Sequence, residues 1–240
     1  MIDIHLHILP GVDDGPETMQ ESLALAKLLV QEGVHSAVAT PHYNDKFPPC
    51  SAAEIRERVN DMQQELDRHN IPLRLSAGHE ALIKPGLIED IQAGQLATLN
   101  GSRYLLLELW NNAWLPATER VIFELRAFGI VPIIAHPERC HVIQQDSNRL
   151  AALLRQGALA QLMASSLIGM QGDTTRRTAE ILLKKRLVHC IASDAHGVHT
   201  RPPCVVQGLQ RARQVLGQAL VHQMIETLPA AIINNQLCSL

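Results

Sequence analysis

Short apolar runs alternate along this chain with longer stretches whose apolar residues recur at helical spacing. Residues 2–6, 35–40, 72–77, 104–108, 130–135, 158–162 and 188–192 are strand-length runs, and their alternation with longer segments is the pattern of repeated strand–helix units. Amphipathic segments lie between them. Pro16 opens a predicted helix through Met19, Leu23, Ala26 and Val30, and Gly33 closes it, because proline suits a first helical turn and glycine a left-handed cap. Ser51 with Glu54 forms a capping box for a helix running to about His69. Further helices are predicted over 117–128, 147–156, 174–185, 205–216 and 219–228. About seven strand–helix units predict an α/β fold with its parallel sheet closed into a barrel, an open doubly wound sheet being the alternative.

Composition narrows this picture without redirecting it. With 240 residues, 46% of them hydrophobic, and a mean hydropathy of +0.01, the chain can bury one good-sized core. No Ser/Gly-rich linker, charge block or shift of composition divides it, so residues 1–240 are read as a single domain. A net charge of -3 and a pI near 6.4 leave no basic stripe for nucleic acid. No apolar run approaches the ~20 residues that cross a bilayer, and Met1 leads straight into a strand-like run. The expectation is a cytoplasmic protein without membrane insertion. Cys50, Cys140, Cys190, Cys204 and Cys238 stand singly and are expected to be free thiols.

Candidate chemistry gathers where strands end. His5 and His7 flank Leu6, and alternation across a strand puts both imidazoles on one face, within reach of one cation. Asp13 and Asp14 follow that strand, His42 follows the second, Glu80 the third and Glu108 the fourth. His136 ends the fifth, and Asp194 with His196 ends the last. In a parallel barrel these ends converge on one rim, and so many imidazoles and carboxylates need cations to coexist there. Such a set, with a carboxylate like Glu80 able to bridge two cations, suits hydrolysis of a phosphoester or an amide.

The runs M-I-D-I-H-L-H-I-L-P-G-V-D-D-G-P, A-T-P-H, G-H-E, L-L-L-E, I-A-H-P-E-R and I-A-S-D-A-H-G resemble the polymerase and histidinol phosphatase (PHP) superfamily. Within it they resemble the CpsB/CapC-type, manganese-dependent protein-tyrosine phosphatases of bacterial capsule and exopolysaccharide loci. The resemblance implies a distorted (β/α)7 TIM-like barrel, the PHP fold, holding three divalent metal ions. Manganese is the metal it points to, and iron and zinc also suit such donors. By position, it assigns His5, His7, Glu80 and Asp194 to the first metal, Glu80, Glu108 and His136 to the second, and Asp14, His42 and His196 to the third. Arg139 and Arg201 match basic residues that contact the phosphoryl group, a use suited to a planar guanidinium. Direct attack on phosphorus by a metal-bridging hydroxide is implied, without a covalent phosphoenzyme, and Asp194 or His196 is a candidate donor to the leaving group. The implied substrate is a phosphotyrosine protein, an autophosphorylating bacterial tyrosine kinase of polysaccharide export. Two other functions share the features: a small-molecule phosphatase acting on histidinol phosphate or a nucleotide, and a non-catalytic regulatory protein on the same barrel.

Three further signals need weighing. Cys50 and Arg56 have the C-x5-R spacing of cysteine-dependent tyrosine phosphatases, but no glycine between them could form a phosphate cradle, and Ser51 and Glu54 are committed to a helix cap. His79 is expected to turn away from the rim because Glu80 faces it. Trp110 and Trp114, in the loop after Glu108, could stack on an aryl group or simply pack the loop.

Overall fold

The computed structural model describes residues 1–237, so the thiol expected at Cys238 lies outside the described residues. Among the described residues no cysteine forms a disulfide. Nine strand segments are present among the described residues: β1 (Ile2–Leu6), β2 (Ser36–Ala39), β3 (His42–Tyr43), β4 (Arg74–Ala77), β5 (Glu80–Leu82), β6 (Tyr104–Glu108), β7 (Val131–Ala135), β8 (Leu159–Met163) and β9 (Cys190–Ala192). All pairings are parallel. β1 pairs with β2 and β2 with β4, while β3, β5, β6, β7, β8 and β9 pair in that order.

These segments make seven staves. β3 continues β2 across Thr40 and Pro41, and β5 continues β4 across Gly78 and His79, because Gly78 N–H still reaches Ala39 O at 2.9 Å and Glu80 N–H reaches Pro41 O at 3.1 Å. A proline without an amide interrupts the first of these staves. At the second break, a Cβ on Gly78 would lie 3.0 Å from side-chain atoms of both Val38 and Leu99, so glycine lets the stave pass. The ring closes between first and last staves, where Asp194 N–H donates to His5 O and His7 N–H to Ala195 O, each at 3.0 Å. The expected closed seven-stave barrel is therefore present, and the open sheet is not.

Burial on both faces explains why the strands read as nearly unbroken apolar runs. Tyr104, Leu106, Ile133, Leu159 and Cys190 belong to one apolar cluster, and Leu105, Leu107, Ile134, Ala160 and Ile191, of opposite parity, join the larger cluster made with the helices. That outer layer comprises α1 (Met19–Gln31), α2 (Ala52–Arg68), α3 (Leu87–Gln92), α4 (Thr118–Ala127), α5 (His141–Gln145), α6 (Asn148–Arg155), α7 (Asp173–Lys184), α8 (Val205–Leu216) and α9 (Gln218–His222), while α10 (Leu228–Ile233) packs Leu228, Ala230, Ile232 and Ile233 on the first cluster.

Two helix expectations are corrected. Helix α1 begins at Met19, not Pro16: Thr18 caps it, accepting from Glu21 N–H, while the Glu21 carboxylate accepts from the amides of Glu17 and Thr18. That reciprocal pairing satisfies the first-turn donors and sets the start. The last helix does not end at 228 but runs through a π turn, Gln223–Thr227, into α10. The Ser51–Glu54 box on α2 forms as expected. No helix among the described residues is long and apolar enough to cross a membrane.

Candidate metal centre and active site

Every stave that carries a predicted donor delivers it to the same rim. His5 lies on β1 and His7 just beyond it, His42 and Glu80 open β3 and β5, Glu108 closes β6, and His136, Asp194 and His196 follow β7 and β9. The Nε2 atoms of His5 and His7 are 3.2 Å apart, and each is 3.4 Å from Glu80 Oε2. His42 Nδ1 lies 2.9 Å and His136 Nε2 2.8 Å from the same Glu80 carboxylate, with Glu108 Oε1 3.9 Å from His136. Asp14 Oδ1 sits between His42 Nε2, at 3.3 Å, and His196 Nε2, at 3.2 Å. Asp194 Oδ1 is 3.2 Å from His5 Nε2. All nine predicted donors are therefore brought together, in overlapping groups whose atoms lie within 4.8 Å of one another: His7, Asp14, His42 and His196; His5, His7 and Glu80; His5, His136 and Asp194; His42, Glu80 and Glu108.

Three residues here have left-handed backbone that side chains rarely adopt, His136 at φ 31°, Asp194 at φ 52° and Arg201 at φ 54°. Such a conformation costs about 1–3 kcal/mol, and it survives only where the surroundings enforce it. At Asp194 the enforcement is visible: its amide is held by His5 O, so the chain turns within one residue of the barrel edge and drops the carboxylate inward.

The imidazoles are oriented from behind. His5 Nδ1–H donates to Gln161 Oε1 at 3.0 Å, and His7 Nδ1–H donates to Asp13 Oδ2 at 2.6 Å. His196 Nδ1–H donates to the Asp194 carbonyl at 3.0 Å. Each then presents Nε2 to the rim as a lone pair, the arrangement by which outer partners fix the tautomer of a ligating histidine. Asp13, whose carboxylate also accepts from the amides of Gly15 and His42, is occupied with this support. Asp14 is the one of the pair that faces the cluster. Gln161 was absent from the sequence reading, and alternation from the apolar Leu159 was the signal that could have found it.

Whether the residues fit cations is answered by their own electrostatics. Two bare Nε2 lone pairs facing each other beside carboxylates repel unless positive charge stands between them. In the protein alone, protons take that place. Burial disfavours charged His5, but Glu80 and Asp194 outweigh it and raise its pKa to about 9; Asp14 and Glu80 likewise raise His42 to about 11. Glu80 and Asp194 are held below the usual carboxylate range against burial, chiefly by His5. Glu108 is pushed up by burial and by the neighbouring Glu80. Among the described residues Glu80 Oε2, His42 Nδ1 and His196 Nε2 are buried without a well-formed hydrogen bond. Convergent imidazole and carboxylate donors that lack enough hydrogens fit divalent cations.

Two guanidinium groups border the cluster. Arg201 Nη2 reaches both Asp194 oxygens at 3.1 Å and its Nη1 reaches Asp14 at 3.3 Å, while Arg139 Nη1 is 3.4 Å from Asp194 Oδ2. Both remain partly exposed, aimed at the rim. The expected donor role of Asp194 or His196 is poorly matched to this geometry: Asp194 is held ionised, and burial followed by the charge of His7 lowers His196 to about 4. Asp194 accepts from the guanidinium groups, and neutral His196, its Nδ1–H spent on the Asp194 carbonyl, presents a lone pair at Nε2.

The signals outside the cluster separate cleanly. Cys50 directly precedes the α2 cap, and its thiol is raised by burial instead of being lowered as a nucleophile requires. Arg56 lines a different cleft, of about 480 Å³, with Asn60 and Thr98. His79 turns away as expected, Nδ1 accepting from Ala97 N–H at 2.9 Å. Trp114 packs its loop: its indole donates to Glu119, and Arg149 lies 5.7 Å from its ring. Trp110 is exposed, with its N–H on Ile83 O at 3.3 Å. The aromatic ring against the cluster is instead Phe47, parallel to His42 at 5.4 Å between centroids and at 1°. Sequence reading passed over it because a loop, not a periodic element, carries it there.

A seven-stave barrel with a multi-donor, arginine-bordered cluster at its C-terminal rim defines a metal-dependent hydrolase type of site. Residues 1–234 match the family model described as capsular polysaccharide synthesis, CpsB/CapC, and the chain belongs to that family. It is 32% identical over 237 residues to the tyrosine-protein phosphatase YwqE of Bacillus subtilis, covering 99% of this chain and 93% of that one. It is 28% identical to the tyrosine-protein phosphatase CpsB of Streptococcus pneumoniae, covering 99% and 100%. A solved structure from work on YwqE and CpsB, described as unique metal-dependent tyrosine phosphatases, superposes with a TM-score of 0.96 at 31% identity, covering 100% of this chain and 96% of that one. An Escherichia coli phosphotriesterase homology protein, at 12% identity and a TM-score of 0.60 over 97% and 98% of the two chains, shares the fold.

Proposed function

We propose that this chain is a metal-dependent phosphatase that removes phosphate from phosphotyrosine in proteins, with a bacterial tyrosine kinase of capsule or exopolysaccharide export as its substrate, in the cytoplasm. Three divalent ions, manganese foremost, would be held at the rim: one by His5, His7, Glu80 and Asp194, a second by Glu80, Glu108 and His136, a third by Asp14, His42 and His196. The observation that carries the reading is the convergence of Arg139 and Arg201 on Asp194, a residue of the donor cluster itself. A cluster built to hold cations alone has no use for two partly exposed guanidinium groups; a phosphoryl group beside the cations does.

When bound, the cations supply Lewis-acid neutralisation of phosphoryl charge and an acidified water. Arg139 and Arg201 bind and orient the phosphoryl oxygens. His5, His7 and His196, fixed from behind by Gln161, Asp13 and the Asp194 carbonyl, keep their lone pairs on the rim. With the cations bound, the ligating imidazoles and carboxylates would be bare and have no proton to give the leaving group, which favours an aryl ester: a phenol of pKa about 10 departs more easily than an alkoxide. Phe47 offers that aryl group an apolar wall.

Aryl-phosphate turnover, measured with metal stripped and restored beside His42→Ala and Cys50→Ser, tests the reading. His42→Ala is expected to abolish turnover and Cys50→Ser to leave it intact; the reverse would indicate a cysteine mechanism.

A further inference from the structure

Between His136 and Arg139, the turn that carries both contains an acid with no role in the reading above, on which this inference rests. We propose that Glu138 is a positioning residue of the active site, acting through Arg139 by clamping the turn that aims its guanidinium at the phosphoryl group.

The 3-10 turn Pro137–Arg139 follows His136, whose φ of 31° and ψ of 54° place it in left-handed backbone. Local hydrogen bonds within the turn are few: Arg139 N–H to His136 O at 3.0 Å and Cys140 N–H to Pro137 O at 3.1 Å. Neither crosses to another stave. Glu138 does. Its side chain is fully buried, and Oε1 accepts from Met163 N–H, at the end of β8, at 3.0 Å and from Ser166 Oγ–H at 2.8 Å. The Glu138 carbonyl accepts from Gln144 Nε2 on α5 at 2.9 Å. One residue thus fastens the turn to the neighbouring stave and to the helix that follows. A carboxyl group is expensive to bury and is retained where its bonds specify geometry. Here the geometry specified is that of Arg139, the adjacent residue, 3.4 Å from Asp194. Glu138 Oε1 takes both hydrogen bonds and Oε2 has no hydrogen-bond partner among the described residues, so glutamine, which keeps the accepting oxygen, is a close mimic.

The test is a double-mutant cycle on metal-reconstituted enzyme, reading kcat and KM for an aryl phosphate, binding of inorganic phosphate by calorimetry, and bound metal by elemental analysis. Glu138→Met is expected to lower kcat/KM about 10- to 100-fold and to weaken phosphate binding at unchanged metal content, with Glu138→Gln restoring most of the loss. In an Arg139→Ala background the same change should weaken phosphate binding less than about 2-fold further, because the group it positions is gone. Ser166→Ala, which removes one of the two donors, is the milder probe should Glu138→Met not fold, and its smaller loss should likewise vanish without Arg139. An equal loss with and without Arg139, a fall in bound metal, or unimpaired variants would overturn the assignment. If the unmodified protein binds phosphate but turns over no aryl phosphate, the phosphatase reading fails, while the phosphate-binding cycle still decides the role of Glu138.

Discussion

His7 is useful as a donor because of Asp13: with Nδ1–H committed at 2.6 Å, Nε2 is the nitrogen left to face the rim, where a cation would take the place of a proton. Further out, Phe47 stacks on His42, and that contact gives a residue-scale expectation. Phe47→Ala should lower kcat/KM for a phosphotyrosine peptide about 5- to 10-fold, the scale of one aromatic contact, and leave histidinol phosphate turnover unchanged; an equal fall for both substrates would make Phe47 a support for His42 and not an aryl wall. A second concerns His189, whose Nδ1 accepts from Ala160 N–H at 3.1 Å and whose pKa burial lowers to about 4. The folded protein keeps this ring neutral while the unfolded chain protonates near pH 6.5, so stability is lost as pH falls from about 6.5 towards about 4. At about pH 5 the loss is at most about 2 kcal/mol. His189→Asn keeps an acceptor without the titration, and urea unfolding at pH 7 and 5 should show it losing less stability than the parent. Much of the site was legible at this scale because His5 and His7 obey strand alternation and the acids close apolar runs. Asp13 and Asp14 were not separable by spacing, since only the folded loop decides which carboxylate meets His7.

At the scale of elements, α8 depends on an absence of side chain. A Cβ on Gly208 would sit 2.3 Å from the Ala164 carbonyl oxygen, 2.7 Å from its carbon and 2.8 Å from its Cα, in the turn that also contains Ser166. These are backbone atoms, with no rotamer to yield. Gly208→Ala should therefore destabilise despite its better helix propensity, by about 3 kcal/mol, the upper range of overpacking, read as a lowered urea midpoint; a midpoint at or above the parent's would contradict this packing. The long elements were readable because each has one dominant signal: runs buried on both faces for β6 and β7, a capping box for α2. The missed ones lack it. β3 and β5 are 2 and 3 residues long and follow breaks at Pro41 and Gly78 that look like strand ends in sequence, although hydrogen bonding carries the stave across. Helices α3 and α5, of 6 and 5 residues, complete too few turns for periodicity to emerge, and the π turn before α10 changes the helical repeat without changing composition.

For the molecule as a whole, cations and protons compete for one rim, and that competition ties function to stability. In the metal-stripped protein His5 and His42, at about 9 and about 11, hold protons throughout the neutral range. Raised values of this kind stabilise the folded state fully below the unfolded pKa of about 6.5, and the contribution is lost as pH rises through the folded values. A cation displaces those protons, since a ligating nitrogen must be bare, so metal binding releases protons and tightens with rising pH. Manganese added to stripped protein in weak buffer should acidify the solution. Because binding to the folded state adds to stability by mass action, the gap in Tm between metal-loaded and chelator-stripped protein should widen from about pH 6 to about pH 8.5. The carboxylates do not reverse this trend, because Glu80, Asp14 and Asp194 are all held below the usual range and stay ionised across it. A gap that stayed constant, with no acidification, would mean that the imidazoles of the stripped rim are already neutral and that its carboxylates are balanced in some other way.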